Sequence, residues 1–166
     1  MPAVTITCRK QPESFRRPRR RGDAVILRAL AILEGRLREP GAALGSPGTV
    51  RDYLKLRLAE MEREAFLALF LDAQHRLLEC AVLFYGSISE TTVHPREIVK
   101  LALAHNAAGA ILAHNHPSGV AEPSHSDEML TQEIKRALAL VDVQVLDHFI
   151  VAGRAEPLSF RERGLL

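Results

Sequence analysis

Three residues of the types that bind metal ions lie close together in the middle of the chain: His114, His116 and Asp127. Alternate side chains of an extended segment point the same way, so the two histidines of His114-Asn-His116 aim at one point. Asp127 falls in the first turn of a helix predicted to start after Pro123-Ser124. Two neutral imidazoles and one carboxylate suit Zn²⁺ and leave its fourth position open to water, as in catalytic zinc sites. The pattern therefore predicts one zinc ion per chain.

A simpler interpretation exists for each half of this pattern. His-x-His occurs as two polar residues at a strand end, and Ser124 with Asp127 fits a helix cap followed by a first-turn acid. Both halves occur here in one short stretch directly after an apolar segment. That combination favours the metal site over two unrelated accidents.

Two apolar segments are expected to position the ligands. Residues 107–113 predict a buried strand that ends at His114, and residues 65–71 predict a central strand that is apolar on both faces. Glu64 precedes the second segment. If the two strands are antiparallel neighbours, Glu64 lies beside the ligands, where a carboxylate can serve as the base that water attack requires. From the residues alone, Glu60 and Glu62 compete for this role, with solvent-facing helix charge as their alternative.

The rest of the chain predicts an α/β domain with a mixed sheet, because a hairpin of strands at 65–71 and 77–85 lies among helices. Asp23 and Thr49 are expected to cap two helices, over about 24–37 and 49–62. The first of these helices should bury Val25 together with Ile26, Ala29, Leu30 and Leu33. The remaining expected elements are helices at about 95–106 and 125–140, a strand at 143–151 and a short terminal element at 159–166.

Charge divides the chain at about residue 22. Of the 22 Lys and Arg residues, seven lie within residues 1–22 beside the single acid Glu13, which leaves 15 bases against 19 acids in the remainder. The first 22 residues are predicted to form a flexible basic arm, and 23–166 the folded domain. A solvated tail is the favoured interpretation of the arm. The alternative is weak, sequence-independent nucleic-acid binding through residues 9–21, since arginine clusters neutralise phosphate charge.

Cysteine content and hydropathy indicate where in the cell the protein is expected. Cys8 and Cys80 are far apart, which excludes a disulfide framework and a cysteine-based zinc site. No apolar run approaches the length of a membrane span, and the first residues lack the apolar core of a secretory signal. We therefore expect a cytoplasmic protein without membrane contact.

Beyond these patterns, the spacing His114-x-His116, seven residues, Ser124, two residues, Asp127 resembles the zinc motif of JAMM (MPN) metalloprotease domains. The sequence His-Asn-His-Pro-Ser-Gly, followed by Glu-Pro-Ser, is similar to a more specific group of proteins, the bacterial RadC family. The resemblance covers about residues 23–166. It also includes the following segments: Phe70-Leu-Asp72, Pro95-Arg-Glu-Ile-Val99, Leu146-Asp-His148 and the ending Ser159-Phe-x-Glu-x-Gly164-Leu-Leu.

This resemblance implies a fold, an activity and residue roles. The fold would be a twisted, mainly antiparallel sheet flanked by helices, as in JAMM/MPN and cytidine-deaminase-like domains. The activity would be zinc-dependent hydrolysis of amide bonds, by a peptidase or isopeptidase acting on a peptide or isopeptide substrate. Glu64 would be the general base, and Ser124 would donate to the oxyanion that forms when water attacks a carbonyl. The alternative is a DNA-associated accessory role, because RadC proteins carry a DNA-repair label.

The remaining histidines are not among the predicted metal ligands. His75 and His94 are expected to be exposed, and His125 has no place in the motif. Asp147-His148 lies within an apolar segment. Two interpretations of this pair stay open: support of the site from behind the ligands, or a polar pair at a strand surface.

Overall fold

Four α-helices and five β-strands make up the part of the chain that this computed structural model describes, residues 22–39, 47–86 and 94–166. They follow in this order: α1 (Asp23–Arg38), α2 (Pro47–Leu58), β1 (Ala65–Leu71), β2 (Leu77–Tyr85), α3 (Pro95–Ala104), β3 (Gly109–Asn115), α4 (His125–Ala139), β4 (Gln144–Val151) and β5 (Leu158–Ser159). The predicted basic arm lies outside the described residues except for Gly22. None of the helices in the described ranges has the length and apolar character that crossing a membrane requires.

The five strands form one mixed sheet in the order β2-β1-β3-β4-β5. Strand β1 pairs antiparallel with β2 and with β3, and β4 pairs antiparallel with β5. Only the β3–β4 pair is parallel, and helix α4 makes the crossover that a parallel connection needs. The predicted α/β fold with a mixed, mainly antiparallel sheet flanked by helices is thus confirmed.

Each face of the sheet has its own apolar core. On one face, Leu67 and Leu69 of β1 belong to a buried cluster with residues of α1 and α2. On the other face, Phe66 and Phe70 pack in a cluster with residues of α3 and α4. Burial on both faces explains why β1 and β3 are almost uninterrupted apolar sequences. Since burying one such side chain contributes about 1.5–3 kcal/mol, these strands are a rigid base for the site that follows them.

The two predicted helix caps are wrong. Helix α1 is preceded by Gly22 with a φ of 106°, a left-handed conformation that glycine adopts without steric cost, and Asp23 already lies in the first turn. Helix α2 starts at Pro47, so Thr49 is inside the helix rather than at its cap. Proline's fixed φ suits the first helical turn, and this preference prevailed over the capping tendency of threonine.

Two further expectations needed correction. Val25 is 71% exposed, because the inward stripe of α1 runs through Leu30 and Leu37 with Ile26 and Leu33 beside it. Strand β3 begins two residues later than predicted and continues through Asn115. The amide of Ala107 still donates to Ala102 O, so this residue completes the turn that ends α3. Strands β1, β2 and β4 and helices α3 and α4 lie within two residues of their predicted bounds.

Candidate metal centre

Antiparallel pairing of β1 with β3 brings the predicted base and ligands to one edge of the sheet. Phe66 is opposite His114, so the start of β1 meets the end of β3. Glu64 lies directly before β1, and His116 directly after β3. The predicted neighbour relation between these two strands is therefore confirmed, and it carries Glu64 to the histidines.

Four side chains converge at this edge. Glu64, His114, His116 and Asp127 each offer one ligand atom, and these atoms all lie within 4.8 Å of one another. His114 and Asp127 are buried, whereas Glu64 and His116 are half-buried and open the cluster toward solvent. The competing acids Glu60 and Glu62 are exposed and are not members of this cluster. The structure thus singles out Glu64 among the three candidate acids.

Hydrogen bonds behind the rings fix how the two histidines face the cluster. His116 Nδ1 lies 2.7 Å from the carbonyl oxygen of Val120, which only accepts, so Nδ1 carries the proton. His114 Nδ1 lies 2.8 Å from His148 Nε2. The two remaining nitrogens, Nε2 of His114 and Nε2 of His116, face each other at 2.9 Å. Both imidazoles thus present Nε2 to the same point.

Asp127 is oriented by the start of α4. Ser124 caps this helix: its hydroxyl accepts from Asp127 N at 3.1 Å, and Asp127 Oδ2 accepts from Ser124 N at 2.8 Å. The Ser124 hydroxyl donates its proton to the same Oδ2 at 2.7 Å. Oδ1 lies 3.3 Å from His114 Nε2. Oδ2, which the capping box occupies, lies 3.6 Å from His116 Nε2, so the cap also holds the carboxylate against both histidines.

Burial and mutual charge shift the pKa values of the cluster in different directions. Burial lowers the pKa of His114 to about 4, against the opposing attraction of Asp127. The hydrogen bond with Asp127 raises the pKa of the half-buried His116. Contacts with His116, His114 and Ser124 outweigh burial and hold the pKa of Asp127 well below its usual range. At neutral pH the cluster thus contains an ionised carboxylate and a neutral His114.

The chemistry of this donor set suits a cation. If both Nε2 atoms carry lone pairs, two acceptors face each other at 2.9 Å beside a carboxylate, which is repulsive unless a proton or a metal ion lies between them. Two nitrogens bound at about 2.05 Å to one tetrahedral ion lie about 3.3 Å apart. The two Nε2 atoms are 2.9 Å apart, a little less than that spacing, and they lie 3.3 Å from Oδ1 and 3.6 Å from Oδ2 of Asp127, respectively. The cluster could therefore hold a metal ion.

Asn115 is a site residue that sequence reasoning missed. Its position between the histidines directs it to the opposite side of the strand. There its Oδ1 accepts from Ala65 N at 2.8 Å, and its Nδ2 donates to Met61 O at 3.3 Å and to Arg63 O at 3.1 Å. The side chain thus ties the segment that carries Glu64 to the strand that carries the histidines. The sequence signal that could have revealed it is an amide side chain between the two predicted ligands, at the end of a strand predicted to be buried.

The structure separates the pair Asp147-His148 into two roles. His148 is fully buried and contacts His114, so it lies directly behind the cluster. Asp147 accepts from the Ser159 hydroxyl at 2.6 Å and from Arg161 N at 3.1 Å, which holds the terminal segment against β4. The structure places His148 behind the cluster, where the first interpretation requires it, and a polar pair at the strand surface is not observed, because His148 is buried and Asp147 is half-buried. His75 and His94 are exposed, as expected, and His125 lies outside the cluster.

Fold and site together define an α/β domain that could bind a metal ion where a central strand ends. Residues 44–165 match the family of RadC-like JAB domains, and the chain belongs to this family. The resemblance seen in the sequence motifs is thereby confirmed.

The relatives of this chain include several longer bacterial proteins that carry the name UPF0758. One from Dechloromonas aromatica is 66% identical over 121 residues, which is 73% of this chain and 54% of the relative. One from Leptothrix cholodnii is 63% identical over 121 residues, again 73% of this chain and 54% of the relative. One from Nitrosomonas eutropha is 47% identical over 170 residues, which covers 99% of this chain and 75% of the relative. The chain thus spans about half the length of the first two relatives.

Proposed function

We propose that this chain is a zinc-dependent metallohydrolase that cleaves amide bonds in a peptide or isopeptide substrate. The convergence of Glu64 with His114, His116 and Asp127 at one strand end carries this proposal. Three of these groups are oriented toward one point by hydrogen bonds from behind, as metal ligands are. A cytoplasmic location belongs to the same proposal and is consistent with the buried free thiol of Cys80.

In the proposed site, His114, His116 and Asp127 hold one zinc ion per chain. Zinc bound by three protein ligands supplies Lewis acidity, which polarises a carbonyl and makes water acidic near neutral pH. The carboxylate of Glu64 takes a proton from the attacking water and returns it to the leaving nitrogen. Its half-buried position beside the proposed ligands supports this role.

Ser124 is proposed to stabilise the oxyanion formed by that attack. In the described conformation its proton is directed to Asp127 Oδ2, so donation to substrate requires rotation of the hydroxyl. Ser124 is exposed, and its hydroxyl can rotate. The cap does not depend on the proton, because Asp127 N donates to the serine oxygen.

The experiment is zinc-dependent cleavage of a diverse library of peptides and isopeptide-linked peptides by the purified protein. We expect products that require zinc and disappear with a chelator, and that disappear in Glu64→Gln. Glu62→Gln is the matched control, because Glu62 is an exposed acid two residues away that is not in the cluster. Zinc-loaded protein that cleaves no amide bond in any member of the library would contradict the proposal.

The second candidate function is DNA-associated, and the charge of residues 1–22 is the observation that favours it. Binding through this arm would be weak, independent of sequence and steeply salt-dependent, with a log–log slope of about −0.9 per phosphate neutralised on duplex DNA. A chain that begins at Asp23 should lose this binding and keep zinc. Tight, sequence-selective binding by the shortened chain would instead make the DNA-directed function the better one.

A further inference from the structure

A chain of hydrogen bonds behind His114 connects three elements of the fold. His114 Nδ1 on β3 lies 2.8 Å from His148 Nε2 on β4. His148 Nδ1 lies 2.6 Å from the hydroxyl of Thr131 on α4, and that hydroxyl donates to the backbone carbonyl of Asp127 at 2.6 Å. All four residues are buried. The chain therefore begins at one member of the metal cluster and ends at another.

The direction of the protons along this chain follows from the single hydrogen of Thr131. That hydrogen goes to the Asp127 carbonyl, so the hydroxyl must accept from His148 Nδ1–H. His148 contacts a hydroxyl and an imidazole rather than a carboxylate, and such a buried ring is neutral with one N–H. Its Nε2 is then an acceptor, and the proton between the two histidines belongs to His114 Nδ1. This tautomer is assigned from the hydrogen-bond network.

We propose that His148, held by Thr131, is a positioning residue that keeps His114 in the Nδ1–H tautomer and so leaves the Nε2 lone pair for the metal ion. The proposal rests on the metal site of the proposed function and adds the residues that prepare it. Ligating histidines elsewhere use a carboxylate, a backbone carbonyl or water for this purpose. Here a neutral histidine serves, which requires that its own tautomer be fixed by a third group.

Packing fixes the plane of His148 as firmly as the hydrogen bonds fix its protons. The Phe160 ring lies 4.5 Å from the His148 ring between centroids, and the Phe66 ring meets it edge-on at 5.4 Å. Phe66 also stacks on His114 at 5.9 Å with an interplanar angle of 9°. One aromatic side chain thus contacts both histidines, so neither ring can turn without displacing the core of that face. His148 is held in a supporting position and is not a fourth ligand.

Two replacements of His148 distinguish the effect of its hydrogen bonds from the effect of its volume. His148→Phe keeps an aromatic ring in the pocket but cannot accept from His114, whereas His148→Gln restores an acceptor where Nε2 lies. Loss of such a supporting partner weakens metal binding by about 10- to 100-fold. We expect that loss of zinc affinity in His148→Phe and recovery of most of it in His148→Gln, measured by competition with a chromogenic chelator. Phe70→Leu, a buried change on the same face stacked on His105, controls for general core damage and should leave zinc affinity unchanged.

Thr131 gives a second pair of variants should His148→Phe fail to fold. Thr131→Val removes the hydroxyl at nearly constant volume, and Thr131→Ser keeps it. We expect weakened zinc affinity in the first and near wild-type affinity in the second. Wild-type zinc affinity in folded His148→Phe and in folded Thr131→Val would overturn the proposal.

Nitrogen NMR of ¹⁵N-histidine-labelled, metal-free protein tests the proposal without zinc or substrate. We expect His114 in the Nδ1–H tautomer in the wild type and in Phe70→Leu, and a mixture of tautomers in Thr131→Val. A wild-type His114 protonated at Nε2 would overturn the proposal. This measurement is also distinct from the proposed function: an inactive protein with His114 held at Nδ1–H contradicts the hydrolase and leaves the role of His148 intact.

Discussion

The two sides of the site are held in different ways. On the side of the proposed metal ligands, called the ligand side below, His114 and Asp127 are buried, and a hydrogen-bond chain through His148 and Thr131 connects them within the core. On the side of the proposed base, Glu64 is half-buried and follows two exposed residues, Glu62 and Arg63. Metal binding needs fixed geometry, whereas a proton carrier must reach water and leaving group in turn. The contrast indicates that the proposed ligands are held within the core, whereas the proposed base is held through its backbone by Asn115 and its side chain is more accessible.

The largest expected effect breaks the ligand side. His116→Ala removes a half-buried donor without opening the core, so the fold should survive while zinc binding is almost completely lost. Metal analysis of the purified variant checks this, with exposed His125→Ala as the matched control that should retain one zinc ion per chain. A variant with a full complement of zinc would remove His116 from the site.

The next prediction concerns Ser124, where the two sides meet. Ser124→Ala removes both the proposed oxyanion donor and the helix cap. Loss of one such donor costs about 10²- to 10³-fold in turnover, and loss of a cap costs about 1 kcal/mol of stability. Turnover and the unfolding free energy should be measured on the same preparation. Reduced stability with unchanged turnover would leave Ser124 with the cap alone.

Acid should act mainly on the ligand side of the metal-free protein. Burial lowers the pKa of His114 to about 4, against 6.5 for the ordinary imidazole, and also depresses the pKa of His148. Between pH 6.5 and 4 the unfolded chain therefore binds more protons, so stability falls as pH falls through this window. The contribution of His114 is about 3 kcal/mol over the whole window, and the raised pKa of His116 offsets part of it. Urea unfolding at pH 7 and pH 5 tests the sign; equal or greater stability at pH 5 would contradict it.

The smallest expected effect comes from weakening the hydrogen bonds that hold the segment carrying Glu64. Asn115→Ala removes three hydrogen bonds to the backbone of residues 61–65, with an expected cost of about 2 kcal/mol in stability. Because the side chain points away from the ligands, zinc affinity should change little while turnover falls about tenfold as Glu64 becomes misplaced. Asn115→Asp should be at least as destabilising, since its carboxylate still accepts from Ala65 N but faces the carbonyls of Met61 and Arg63 without a proton to donate. Loss of zinc equal to that of His116→Ala would mean that Asn115 supports the ligands instead.

Local sequence patterns were sufficient to predict that His114, His116 and Asp127 lie together. Alternation along a strand aligned His114 with His116, and the helix-start pattern placed Asp127. The position of Glu64 followed from its place before an apolar segment, once that segment was taken to be antiparallel to the ligand strand. These positions depend on one element, or on the ends of two elements, and the hydrophobic periodicity of the sequence predicts such positions well.

Contacts that join distant elements could not be predicted in this way. Thr131 and His148 meet only because β4 runs parallel to β3 beneath α4. The sequence around each residue does not indicate that the two side chains are in contact. The separate roles of Asp147 and His148 likewise depend on which face of β4 each occupies. The early start of α2 at Pro47 shows the other limit, where two local preferences competed and proline prevailed over threonine.

The most direct test of the account is Glu64→Gln, with zinc content and turnover measured on one preparation. Glutamine keeps the size of the side chain but does not accept a proton, so the account predicts one zinc ion per chain, an unchanged melting temperature and turnover reduced by about 10²- to 10⁴-fold. Retained turnover would contradict the assignment of Glu64 as the base. Loss of the zinc ion would contradict the division of the site itself, because Glu64 would then be a ligand and not the proton carrier beside three ligands.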